Sequence, residues 1–154
     1  MSTPVFTKIC ALLDEKKIEY KKFQHEISRT SEDAMYTLGL SMHSGAKALV
    51  LRGSKTKQHY LCVIPGDLRL DGKKVKVLVG EQISFAEDPE TVTGCVRGSV
   101  PPLGSVLGLK TFCDNRLAEN QTIHFNAGSL TDSIEMQYTD YLVVENPTLT
   151  DITL

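Results

Sequence analysis

Apolar positions recur along this chain at two spacings, and the switches between them outline its elements. Val5, Ile9, Leu12 and Leu13 follow Thr3-Pro4 at helical intervals. With Thr3 as N-cap and Pro4 at the first position, they predict a helix to about Lys17. Ile18 to Phe23 alternates like a strand, and Gln24 to Arg29 reads as a loop. Thr30 with Asp33 makes a capping-box pattern before Ala34, Met35 and Leu38, and Gly39 closes a short helix.

Gly45 to Arg52 predicts a stronger strand, with Ala46, Ala48 and Val50 on one face and Lys47, Leu49 and Leu51 on the other. After the polar hairpin loop Gly53 to Gln58, His59 to Ile64 is apolar on both faces, as a central strand should be. Asp71 caps a helix with the stripe Val75, Leu78 and Val79, and Leu70 pairs with Val75 as a hydrophobic staple. Gly80 stops it. Ile83 to Phe85 is extended, and Asp88-Pro89 opens a short helix ending near Gly94. Leu109 to Cys113 is extended, and Asp114 caps a turn ending at Asn120. Thr122 to Asn126 and Ser133 to Gln137 alternate as strands around the loop Ala127 to Asp132. Thr139 caps a last helix, and Pro147 and the polar tail read as peripheral. The order lacks the regular βαβ alternation and Gly-rich first turn of a doubly wound sheet. It predicts an α+β (mixed α/β) fold: a strongly curved mixed sheet with short helices around it.

Composition narrows the class. A chain of 154 residues favours one domain, 1–154, and buries roughly 70% of its unfolded surface without a staple. Apolar content of 41%, charged content of 23% and a net charge of −2 are those of a soluble globular protein without a strongly basic face. Cys10, Cys62, Cys95 and Cys113 form no CxxC pair. No zinc or other metal site is expected, and reduced thiols fit a cytoplasmic location. Lys8, Asp14 and Glu15 interrupt any signal-peptide core, and no stretch reaches the roughly 18 apolar residues of a membrane span.

The candidate chemistry centres on Gly98-Ser99-Val100-Pro101-Pro102-Leu103-Gly104. Two prolines stiffen it and remove two donors, and the flanking glycines permit close approach. Its remaining N–H groups cannot all join a ladder, so a ligand or water must take some of them. Lys47 stands among apolar neighbours. Either its stem snorkels along Leu49 to water, or its ammonium lines a pocket for a phosphate or carboxyl group. His25 precedes Glu26, a possible acid/base neighbour; His43 and His59 border loops and read as solvated, and His124 sits on a strand as a satisfied polar residue. No Gly-x-Ser-x-Gly elbow and no Walker loop is present.

Five segments occur in one order: Ala46-Lys47-Ala48-Leu49-Val50, Leu70-Asp71-Gly72-Lys73-Lys74-Val75, Ala86-Glu87-Asp88-Pro89, the loop Gly98 to Gly104, and Asn126-Ala127-Gly128. Together, over roughly residues 3 to 145, they resemble the YbaK family of aminoacyl-tRNA deacylases, which includes the editing insertion domain of bacterial prolyl-tRNA synthetase and its freestanding relatives. The resemblance implies a barrel-like curved sheet and hydrolysis of the ester between a wrong amino acid and the 3′ end of a tRNA, with tRNA(Pro)-type substrates. It implies no cofactor. Its partners would be aminoacyl-tRNA and an aminoacyl-tRNA synthetase, without DNA or membrane.

The family's lysine maps onto Lys47, and its amide loop onto Gly98, Ser99 and Val100, continued by Pro101, Pro102 and Gly104. These amides would face the reacting carbonyl and the ribose, in a substrate-assisted reaction without a protein nucleophile. Asn126, Ala127 and Gly128 match the second pocket strand, and Phe23 and His25 fall near its opening. The sequence departs from the cysteinyl-tRNA(Pro) deacylases at two pocket positions: they carry Ser where Asn126 stands and an acid near Ser133. Lys55, Lys57, Lys73, Lys74 and Lys76 could meet phosphates or form a solvated face. Two other readings stand beside the deacylase: a non-catalytic tRNA-binding or synthetase-associated module, and a hydrolase of small esters.

Overall fold

A computed structural model describes residues 3–26 and 41–154. The capping box at Thr30 and Asp33 and the helix through Leu38 lie outside the described residues.

Helix α1 (Pro4–Glu15) begins where expected, with the Thr3 hydroxyl accepting from the Phe6 N–H at 3.1 Å. Val5, Ile9 and Leu13 are its buried face. The following strand β1 (Tyr20–Gln24) starts two residues later than the alternation suggests. Lys17 takes a positive φ of 58°, and the Ile18 N–H still donates back to the Leu13 carbonyl at 2.9 Å, so the helix exit consumes Ile18.

Strands β2 (Ala46–Gly53) and β3 (His59–Pro65) form the predicted hairpin. Helix α2 (Gly72–Val79) is capped by Asp71, which accepts from Lys73 N–H at 3.0 Å. Of its expected stripe only Val75 is buried; Leu78 is exposed, because a single turn of this eight-residue helix rests on the sheet. Then come β4 (Ile83–Phe85), α3 (Pro89–Thr93), the short helix α4 (Gly104–Leu107), β5 (Lys110–Asp114), a 3₁₀ turn (Asn115–Glu119), β6 (Thr122–Asn126), β7 (Asp132–Gln137), α5 (Tyr138–Glu145) and β8 (Thr148–Thr150). The residue before α5 is Gln137, and no side chain caps it, so Thr139 is not the cap.

The strands do not close into the barrel-like sheet that was expected. They form an antiparallel sheet of order β1-β7-β6 and a mixed sheet of order β4-β2-β3-β5-β8. Among the described residues one bridge joins them, between Gly45 and His124, with the His124 N–H donating to the Ser44 carbonyl at 3.1 Å. Strand β2 otherwise pairs with β3 and β4, and side chains of both sheets pack together in the larger core.

Strand β3 is central, as its two apolar faces require. Leu61 and Val63 enter the larger core with Ile9, Leu13, Ile123 and Tyr141. Tyr60, Cys62 and Ile64 enter a second core with Val75, Phe112 and Ile152. Full burial of each such side chain contributes roughly 1.5–3 kcal/mol. Burial also pushes the Cys62 and Cys113 thiols up to about 12, so both behave as neutral core residues.

The tail is not peripheral. β8 extends the larger sheet parallel to β5, and Ile152 and Thr153 are fully buried. The buried Asp114 carboxylate accepts from the N–H groups of Arg116 and Ile152, both at 2.9 Å, tying the tail under the sheet. No helix among the described residues is long and apolar enough to cross a membrane.

Candidate active site

A pocket of about 230 Å³ opens where the two sheets meet. Its walls bring together Lys47 from β2, Gly98 and Val100 from the proline-stiffened loop, and Asn126 from the end of β6. These four are residues the sequence singles out, and they come from three separate segments.

Lys47 is half-buried at this wall rather than snorkelling free. Its Nζ lies 3.4 Å from the Leu68 carbonyl. Burial lowers its pKa from the ordinary lysine value; the positive Arg69 adds to that, and Asp67 partly offsets it. A partly desolvated cation with one long hydrogen bond has donors to spare for an anion or a carbonyl oxygen.

The loop opposite is held by four hydrogen bonds. Gly98 has φ +89°, a conformation that favours glycine, and its carbonyl accepts from Asn126 Nδ2 at 2.7 Å. The Ser99 N–H and hydroxyl both donate to the Val96 carbonyl, at 2.9 and 2.7 Å. The Ser99 carbonyl accepts from the Gly128 N–H at 2.9 Å. In a trans peptide the carbonyl and the following N–H point opposite ways. Gly128 therefore aims the Val100 N–H away from itself, and among the described residues that N–H has no acceptor. An unpaired donor at the wall of a pocket can receive a ligand oxygen.

The other predicted residues stand behind this wall. Ser99 is fully buried and its hydroxyl is spent on Val96. Pro101, Pro102 and Gly104 are buried; the Pro102 carbonyl accepts from the Tyr141 hydroxyl at 2.8 Å, and Gly104 starts α4. Ala127 and Gly128 are buried in the turn that straps the loop. Phe23 and Asn126 are both register partners of Ser133, on opposite sides of β7. Ser133 is buried, and its hydroxyl lies 2.8 Å from His25 Nε2. His124 is a satisfied polar residue, as expected, and it also lines the pocket: Nε2 contacts the Ser41 carbonyl and the Ser44 hydroxyl at 2.9 and 2.8 Å, and burial lowers its pKa. His43 is not simply solvated; its ring bridges Asp67 at 2.9 Å and Glu119 at 3.3 Å.

Sequence reasoning missed several wall residues, among them Met42, Phe85, Arg97 and Phe125. Phe85 is 59% exposed, unusual for an aromatic in a three-residue strand. Its apolar context hid it, whereas the position of Arg97 beside Gly98 was a usable signal. Of the candidate phosphate-binding lysines, Lys74 is already committed to Asp151 and the Thr153 carbonyl, at 3.0 and 2.7 Å.

Comparison with known proteins converges on one group. Residues 25–143 match the family model described as the aminoacyl-tRNA editing domain. The chain is 30% identical over 148 residues to the multifunctional Ser/Thr-tRNA deacylase ProXp-y of Escherichia coli K12, covering 92% of this chain and 89% of that protein. It is 31% identical over 99 residues to the prolyl-tRNA editing protein ProX of Acetoanaerobium sticklandii, covering 62% and 60%. The fold superposes with TM-score 0.84 and 22% identity on a solved structure of a candidate trans-editing enzyme for prolyl-tRNA synthetase, covering 100% of this chain and 99% of that one.

Proposed function

The chain belongs to the aminoacyl-tRNA editing domain family, and on that premise we propose that it is a freestanding trans-editing deacylase, hydrolysing the ester of mischarged tRNA. The observation that carries this reading is the free Val100 N–H sharing a pocket with the Lys47 ammonium.

Hydrolysis adds a water oxygen to the ester carbonyl carbon, and negative charge grows on the carbonyl oxygen. The Val100 N–H donates to that oxygen, an interaction of a kind worth on the order of 10²–10³ in rate. Lys47 holds the terminal adenosine so that the carbonyl meets that donor. The neighbouring ribose hydroxyl of the tRNA positions the water. The C–O bond to the ribose breaks, its oxygen takes a proton, and the amino acid leaves as its carboxylate. Such chemistry needs no protein nucleophile, in keeping with the absence of a triad motif from the sequence.

Residues 1–154 are read as one editing domain acting on tRNA(Pro)-type substrates, in the cytoplasm and with a synthetase as partner. The similarity to a Ser/Thr-tRNA deacylase supports small aminoacyl groups as its substrates. Ala46, Ala48, Val50 and Phe125 at the wall would select mainly by size. The test is a deacylation panel of Ala-, Cys-, Ser- and Thr-charged tRNAs, including tRNA(Pro), with Lys47→Ala as control. Release of amino acid that depends on Lys47 is expected; binding of tRNA without turnover would replace the reading with a non-catalytic module. Cleavage of a simple aminoacyl ester as efficiently as mischarged tRNA would point to a small-ester hydrolase.

A further inference from the structure

The geometry points to His25 and Ser133 as positioning residues that act through Asn126 on the catalytic loop, an inference that rests on the deacylase reading for its kinetic test alone. Four groups form one hydrogen-bonded file from the outer edge of the smaller sheet to the pocket. His25 Nε2 lies 2.8 Å from Ser133 Oγ, Ser133 Oγ lies 3.1 Å from Asn126 Oδ1, and Asn126 Nδ2 lies 2.7 Å from the Gly98 carbonyl. The strand register builds this file, because Ser133 is the partner of Phe23 on one side and of Asn126 on the other. Only Asn126 and Gly98 reach the pocket wall; His25 and Ser133 lie behind it.

The direction of every bond follows from one fixed end. A carbonyl only accepts, so Asn126 must present its amide nitrogen to Gly98 and its oxygen to Ser133. Ser133 then spends its single hydroxyl proton on Asn126 Oδ1 and shows His25 a lone pair. His25 must therefore donate through Nε2. Its Nδ1 also lies 2.9 Å from the Glu26 carbonyl; a neutral ring donates through one nitrogen only, and the order of donors in the file assigns that proton to Nε2. The file is thus a chain of donors pointing inward, and it ends by holding the Gly98–Ser99 peptide plane. That plane lies one residue before the Ser99–Val100 peptide, whose carbonyl Gly128 holds. Loss of any donor upstream frees Asn126 to turn, and the loop with it.

The residues found here differ in chemistry from what a substrate-binding role would need. Ser133 is 3% exposed and has no spare proton for a ligand. Its part is to hold the Asn126 oxygen at the far end, so that the amide stays seated with its nitrogen on the Gly98 carbonyl.

The experiment compares Ser133→Ala, His25→Gln and His25→Glu with the wild-type chain. Glutamine retains a donor at the Ser133 hydroxyl, whereas glutamate offers acceptors only. Ser133→Ala is expected to lower kcat for mischarged tRNA about tenfold or more with KM nearly unchanged, because misplacement costs rate rather than binding. His25→Gln should keep most of kcat, and His25→Glu should lose as much as Ser133→Ala. Amide hydrogen exchange at Ser99 and Gly128 should quicken in Ser133→Ala and His25→Glu but not in His25→Gln. Wild-type exchange and wild-type kcat in Ser133→Ala, or equal effects of the two His25 variants, would overturn the assignment. A wild-type chain that releases no amino acid from any mischarged tRNA would sink the deacylase reading, and the exchange data would then decide the file on their own.

Discussion

The Gly128 N–H donates to the Ser99 carbonyl at 2.9 Å, and this one bond fixes which way the next amide points. Ser99 and Gly128 belong to different segments, the proline-stiffened loop and the β6–β7 turn. Their contact turns two flexible-looking stretches into one rigid pocket wall.

Gly128→Ala should be damaging for two separate reasons. Gly128 has φ +89°, and an added Cβ would stand 3.0 Å from Val5 Cβ and 3.1 Å from the Phe6 nitrogen. Strain of this kind costs about 1–3 kcal/mol. The urea midpoint should fall accordingly, and deacylation should fall further than unfolding explains. An unchanged midpoint would mean that the turn is not pinned against α1.

Lys47→Met separates function from stability. It should lower deacylation on the order of a hundredfold or more, because the ammonium that holds the terminal adenosine in reacting position is gone. Its thermal midpoint at neutral pH should be equal to or above wild type, since a half-buried cation is replaced by an apolar side chain of similar length. The sign follows from linkage. A folded lysine pKa below the unfolded value means the unfolded chain binds more protons between the two, so wild-type stability rises with pH there. Parallel melts of wild type and Lys47→Met across alkaline pH read this directly, and Lys47→Met should lack that rise.

His43→Gln should show a pH-dependent stability cost. The hydrogen bond to Asp67 raises the His43 pKa, with further support from both carboxylates against a smaller burial effect. Its stabilisation is present in full below the ordinary histidine range and disappears as pH climbs through the raised value. The partners are solvent-exposed, so the gain stays under about 1 kcal/mol. Wild type minus variant, measured near pH 5.5 and near pH 9, should be positive and then about zero. Taking the difference cancels the buried His124, whose lowered pKa acts in the opposite direction.

Ile152→Ala tests the tail. Ile152 is fully buried beside Val75 and Phe112, so truncation should cost about 2–5 kcal/mol. A surface-like loss of a few tenths would return the tail to the periphery.

The caps show why most elements were legible. Thr3, Asp71, Asp88 and Asp114 each bond an N–H two or three residues ahead, a relationship complete within a few residues of chain. The last strand was not legible, because Thr148–Thr150 is polar and short and joins the sheet only through β5 and Asp114. The same division runs through the site. Lys47 could be named as a cation among apolar neighbours, Gly98 and Val100 as parts of a proline-stiffened loop, and Asn126 only through the family resemblance. Phe85 and Arg97 at the wall, and the burial of Ser99, depended on distant neighbours.

By itself the sequence determined where most of the helices and strands would form, which stretch would be stiff, and which family its ordered motifs resemble. These are local properties, set by spacing, caps, proline and glycine. The tertiary structure alone decided that the strands form two sheets, that the tail is core, and that the Val100 amide has no partner among the described residues at the wall shared with Lys47. Those outcomes depend on hydrogen bonds between residues tens of positions apart, and a peptide plane's direction is settled only when its far partner arrives.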